Sequence, residues 1–408
     1  MTEQQLQSYA ELIAATGAGV RQGQQILITA ELDQPRFVML LAEACYRRGA
    51  ANVTVQWQHQ PMRLLRSRYE TAERLGKVEP WEVTKWQTEV STLPTRIYLL
   101  SEDPDGLAGI DTAKTAAGLR LRQSVIKPYR DAMDGKYPWC IAAVPSAAWA
   151  KKLFPAFSDE KAVDALWDAI LTASRADGDA EKNWAEHNRF LKQRCAFLNG
   201  KKLRKLHYTA GNGTDLTVGL IPEAQFCGGA ETAPDGTVYN PNIPSEECFT
   251  SPDRRLTNGV VYGSKPLIYE GQRIDGLRLE FRDGKVTRYH ADTNEALLGE
   301  LLNMDEGAAY LGECALVPWE SPINRTGLLF LNTLFDENAC CHLALGNGFL
   351  DTIRDFRSRT AGEMHAMGVN DSSIHEDFMI GTEDLCIDGI TEDGQTVPIF
   401  RDGTWASV

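Results

Sequence analysis

Gln25-Ile-Leu-Ile-Thr29, a helical stretch over 34–48, Gly49, and then Asn52-Val-Thr-Val-Gln56 decide the fold of the first half. The two short apolar, β-branched runs read as strands. Between them Phe37, Leu40, Leu41, Ala44 and Cys45 repeat at three- and four-residue spacing, which puts them on one helix face. Gly49 is a stop signal for that helix. A strand, a helix and a strand in this order make a β-α-β unit, whose two strands must run parallel because the helix carries the chain back.

The pattern repeats outward. Arg96-Ile-Tyr-Leu-Leu100 and Trp139-Cys-Ile-Ala-Ala-Val144 are further strand signals with helical stretches between and after them. Residues 159–199 are strongly helical, with Ala162, Leu166, Ile170, Leu171, Phe190 and Leu191 at apolar positions. Residues 1–200 are therefore expected to form an α/β domain with a mainly parallel sheet. Beyond Asn199-Gly200 the strands shorten and Gly and Pro become more frequent. Leu277-Arg-Leu-Glu-Phe281 and Lys285-Val-Thr-Arg-Tyr289 flank Arg282-Asp-Gly284, a strong hairpin signal. Residues 201–408 are expected to form an α+β domain.

At 408 residues the chain has room for two cores. Its 42 Lys and Arg against 56 Asp and Glu leave a formal charge of −14, which excludes the dense basic face of a nucleic-acid binder. No run of ~18 apolar residues is present, so no membrane span is expected. The acidic start, Met1-Thr-Glu-Gln-Gln, is unlike a secretory signal. The nine cysteines form no C-x-x-C pair, which suggests reduced, mostly buried thiols and a cytoplasmic protein. Gly17-Ala-Gly19-Val-Arg-Gln-Gly23 is misspaced for a dinucleotide loop and precedes its strand, so it reads as a turn.

The second half holds acids and histidines in apolar settings. His375-Glu-Asp377 leads into Phe378-Met-Ile380. On a strand, residues 375 and 377 share a face about 7 Å apart, as a metal pair would, although a surface strand end also fits. His342 sits in Ala339-Cys-Cys-His-Leu-Ala-Leu-Gly346, where an ionisable group must be partnered. Glu246-Glu247 lies between prolines in Asn242-Ile-Pro-Ser-Glu-Glu-Cys-Phe-Thr-Ser-Pro252, and Glu313 enters the apolar Leu311-Gly-Glu-Cys-Ala-Leu-Val-Pro318. Glu247, Glu313, His342, His375 and Asp377 together match the inventory of a two-metal site, several carboxylates with a few imidazoles. Without a thiolate the set suits Zn, Co, Mn or Mg. Cys248, Cys314 and Cys341, each one residue from a candidate ligand, would face away from it on a strand.

Four of these blocks, with Leu334-Phe-Asp-Glu-Asn-Ala and Gly368-Val-Asn between them, resemble the M29-type thermophilic metallo-aminopeptidases, the aminopeptidase T and S group. The likeness runs through most of the chain. Tyr9-Ala-Glu-Leu, Gly23-Gln-Gln-Ile-Leu-Ile and Gly213-Thr-Asp-Leu-Thr-Val-Gly219 belong to it as well. It implies a cytoplasmic, homodimeric exopeptidase with two divalent metal ions, acting on short peptides with a free N-terminus. The ligands would be Glu247, Glu313, His342, His375 and Asp377. Glu246 is similar to the acid beside the first ligand, a general base or a supporting group. The N-terminal domain would help enclose the site and make dimer contacts. One position departs from the family, which has a tyrosine seven residues after the first histidine ligand. Here that residue is Phe349, which cannot coordinate or donate a hydrogen bond. An attenuated or differently specific hydrolase, or a non-catalytic peptide- or metal-binding protein, is the alternative. Tyr310 would be a substitute hydroxyl or a packing residue.

Overall fold

The computed structural model describes residues 1–269 and 272–407. The chain divides into two compact units, one of Met1–Ala185 with Ala230–Pro244, the other of Glu186–Gly229 with Ser245–Val408. The divide falls inside the helix Ala180–Gly200, and a segment beyond residue 200 returns to the first unit. No local periodicity marks such a return, which is why a texture change near residue 200 does not locate it.

The first unit is built on a five-stranded parallel sheet. Its strands β1 (Gln25–Glu31), β2 (Asn52–Gln58), β3 (Thr95–Leu100) and β4 (Trp139–Ala143) lie in the order β2-β1-β3-β4. The returning segment adds Asn242–Ile243 in parallel beside β4. The expected β-α-β unit is β1, the helix Pro35–Arg47 and β2. Pro35 opens the helix where its missing N–H is harmless, and Phe37, Val38, Leu41, Ala44 and Cys45 are its buried face. Gly49 leaves it at φ +95°, where a Cβ would meet Gln22 Oε1 at 2.3 Å. Tyr9, Phe37 and Trp167 pack ring on ring at 5.6–6.0 Å in the core.

The second unit has an eight-stranded antiparallel sheet and a four-stranded antiparallel one. The large sheet contains the expected hairpin, Arg278–Arg282 paired with Lys285–His290. Its turn residues Asp283 and Gly284 both have positive φ, +48° and +84°, as a type I′ turn requires. The small sheet runs Cys248–Thr250, Leu311–Leu316, His342–Gly346, His375–Met379. Alternation along its strands sends Cys248, Cys314, Leu316, Leu343, Leu345 and Phe378 into a core shared with Leu206, Val218 and Leu279 of the large sheet. The opposite face carries Glu313, His342, Ala344, His375 and Asp377. No cysteine of the nine is disulfide-bonded, and seven are buried. Among the described residues no helix is long and apolar enough to cross a membrane.

Candidate metal centre

The register of the small sheet assembles the cluster. Glu313 and Asp377 pair with Ala344 from either side, His342 lies opposite Ala315 and Met379, and His375 lies opposite Gly346. Two carboxylates thus flank a residue with only a methyl side chain. Glu247 reaches the cluster from the loop that enters Cys248–Thr250. His342 Nε2 lies 3.4 Å from Glu247 Oε2 and 3.9 Å from Asp377 Oδ1. His375 Nε2 lies 3.2 Å from Glu313 Oε2 and 3.4 Å from Asp377 Oδ1. Two overlapping triads result, Glu247–Glu313–His342 and Glu313–His375–Asp377, each with candidate ligand atoms within 4.8 Å of one another. Glu313 is common to both. All five predicted positions are therefore brought together.

Hydrogen bonds behind the cluster set its orientation. His375 Nδ1 is 2.8 Å from the carbonyl of Asn347, so that nitrogen donates and Nε2 faces the carboxylates. His342 Nδ1 faces the carbonyl of Cys340 at 3.4 Å, with the same outcome. The thiols of Cys248, Cys314 and Cys341 point instead to the carbonyls of Leu191, Thr250 and Val317, as packing residues.

Glu337 joins the cluster without a sequence signal of its own. It is partly buried in a short 3₁₀ turn, Glu337–Ala339. Burial and the charges of Asp377, Glu247 and Glu313 push its carboxyl well above the usual range. Its neighbour Asn338 is fully buried and ties two loops together. Asn338 Oδ1 accepts from the Glu246 N–H at 2.7 Å, while its Nδ2 donates to Leu334 O at 3.0 Å and Glu337 Oε1 at 3.2 Å. Its traces in the sequence are its place in the block Leu334-Phe-Asp-Glu-Asn-Ala and its position five residues before His342, neither of which marks it as a buried acid. Glu246 is buried outside both triads, its carboxylate 3.7 Å from His187 Nε2, which in turn lies 2.7 Å from Ser245 O. His187 was not singled out by the sequence either. Tyr310 stacks under the Arg254 guanidinium at 4.2 Å, a packing role. Phe349 packs its ring on His375.

Four acids and two imidazoles in an apolar setting demand compensation. Burial pushes the Glu313 carboxyl up to about 7, and the charges of Glu247 and Asp377 add to this. Burial opposes a charged His342, yet the hydrogen bond to Glu247 and the surrounding carboxylates hold its pKa at about 10. His375 is raised in the same way by Asp377 and Glu313 against the effect of burial. Burial would raise Asp377, but the two imidazoles keep it below the usual range. Asp377 Oδ1 is buried and accepts no hydrogen bond, although it is within 4 Å of both imidazoles. An oxygen- and nitrogen-rich, thiolate-free set with an orphaned carboxylate oxygen fits divalent metal ions.

Known proteins place this geometry in a class. The family described as thermophilic metalloprotease (M29) matches residues 2–405, and the chain belongs to it. As a member it is a metalloprotease, a hydrolase that depends on divalent metal. The chain is 38% identical to aminopeptidase 2 of Geobacillus stearothermophilus, over 99% of this chain and 98% of that one. It is 38% identical to aminopeptidase AmpS of Bacillus subtilis (strain 168), with the same coverage. Wild-type AmpT from Thermus thermophilus superposes with a TM-score of 0.91 at 35% identity, covering 99% of this chain and all of that one.

Proposed function

We propose that the chain is an aminopeptidase that removes the N-terminal residue of short peptides at a two-metal centre. The observation that carries this is the pair of triads sharing Glu313, since two ions held close together need one carboxylate in common. In this reading Glu247 and His342 would hold one ion and His375 and Asp377 the other, with Glu313 within reach of each. Glu337 adds a further carboxylate to the set. Divalent ions bound there would supply Lewis acidity toward a water molecule and the peptide carbonyl. Zn, Co, Mn or Mg suits the donors equally well.

The chain's own groups do the rest. The carboxylate surplus attracts a cationic α-amino group, which favours an unblocked N-terminus. Glu246, held by Asn338 through its backbone and facing His187 with its side chain, carries the proton to the leaving amine. A homodimer in a reducing cytoplasm belongs to the same proposal, and the nine free thiols suit it. Exhaustive chelation should abolish hydrolysis of aminoacyl chromogenic substrates, and added Zn, Co or Mn should restore it. Hydrolysis undiminished by chelation refutes the reading. Bound metal with no turnover across a substrate panel would instead favour a non-catalytic binding protein.

A further inference from the structure

The cluster is accessible on one side. The side chains of His342, Glu313, Asp377 and Glu247 are 1–11% exposed, whereas that of His375 is 25% exposed. Two aromatic rings stand at that opening. Phe349, 36% exposed, packs on the His375 ring at 4.8 Å between centroids and 48°. Phe249 meets Phe349 edge to face at 5.5 Å and 71°. Phe249 pairs with Ala315, which pairs in turn with His342, so Phe249 lies on the face of the sheet that carries the cluster. Ser251, two residues further, clamps Phe349: its hydroxyl accepts from Phe349 N–H at 2.8 Å and donates to Phe349 O at 3.2 Å. The ring pair is therefore held in place before any ligand arrives, and it is pure hydrocarbon.

We propose that Phe249 and Phe349 form the subsite for an apolar side chain on the substrate's N-terminal residue, a proposal that rests on the aminopeptidase reading of the adjoining cluster. The side chain beside the reacting carbonyl belongs to the N-terminal residue. The side chain of the second residue lies about one residue rise, ~3.3 Å, further along the chain. A wall in direct contact with a ligand ring is close enough for the first and short of the second. The acidic cluster recognises the amine, and the rings recognise the side chain.

The test compares leucyl and alanyl p-nitroanilides, which have no second side chain, and the dipeptides Ala-Leu and Ala-Ala, which vary only the second. Wild-type enzyme should favour leucyl over alanyl by about tenfold or more in kcat/KM, the scale set by a few methylenes in an apolar pocket. Phe249→Ala and Phe349→Ala should each cut that ratio about tenfold, while Phe349→Tyr, which keeps the ring, should preserve it. Calorimetry with L-leucinol and L-alaninol, amino alcohols that are not hydrolysed, should show the same ratio in Kd and its collapse in the alanine variants. Metal content equal to wild type verifies an intact centre. The proposal is overturned if the wild type prefers small or charged first residues, if the alanine variants lower both substrates equally, or if the change appears in Ala-Leu against Ala-Ala. Absence of turnover on every substrate overturns it together with the aminopeptidase reading.

Discussion

Ala344→Val probes the centre through a residue that carries no charge. Ala344 is fully buried on the central strand of the small sheet, with Glu313 and Asp377 paired to it on either side. Its neighbours Leu343 and Leu345 belong to the core, so Ala344 faces the acid–histidine cluster. Valine places two additional methyl groups there. Overpacking of this kind costs about 1–3 kcal/mol. On the proposed reading the larger effect is on metal binding, because the methyls stand where Glu313 and Asp377 converge. A loss of 2.7 kcal/mol in binding corresponds to about a hundredfold weaker affinity. The expected result is a folded protein with metal content near zero at micromolar metal and little thermal stabilisation on adding more. Leu345→Ala on the other face of the same strand should do the reverse. It should lower stability by about 2–5 kcal/mol and leave the metal stoichiometry intact while folded. Metal analysis of the dialysed proteins, with thermal melts at several metal concentrations, reads both. Wild-type metal affinity in Ala344→Val would refute the assignment of that face.

Four further outcomes are expected. On the proposed two-metal reading, Glu313→Gln should lose both ions, because both triads use it, whereas His375→Ala should keep one, as metal analysis would show. Asn338→Ala leaves the buried Glu246 N–H unpaired and removes two more hydrogen bonds; a loss of about 2–4 kcal/mol in chemical denaturation is expected, with weaker metal binding. Metal-free protein should lose stability as pH rises. The Glu313 penalty grows from its ordinary 4.5 toward about 7, and the His342 contribution, complete below 6.5, fades as pH approaches about 10, so thermal melts of the metal-free protein should fall continuously from about pH 4.5 upward. Phe349→Tyr supplies a hydroxyl beside His375, and on the aminopeptidase reading turnover should rise by about two- to tenfold, the worth of one hydrogen bond.

The residues that were legible in the sequence are those whose presence is expensive. Glu313, His342 and Asp377 interrupt apolar strands, and a buried charge needs a partner, so each points to the others from the sequence alone. The β-α-β unit and the Asp-Gly hairpin were legible because their patterns are local, with a period on a helix face and a turn that only certain residues adopt. Ala344, Asn338 and Ser251 left no mark, since an alanine, an asparagine or a serine is inexpensive almost anywhere in a sequence. Their roles come from register and from side-chain hydrogen bonds between segments up to 98 residues apart. Glu337 was hidden for a related reason: it lies in a 3₁₀ turn, where neither period two nor period 3.6 applies. The acids and histidines of such a cluster are therefore written in charge and the scaffold that orients them in shape. A variant of Ala344 should accordingly be as damaging to metal binding as the loss of a ligand, although its chemistry is inert.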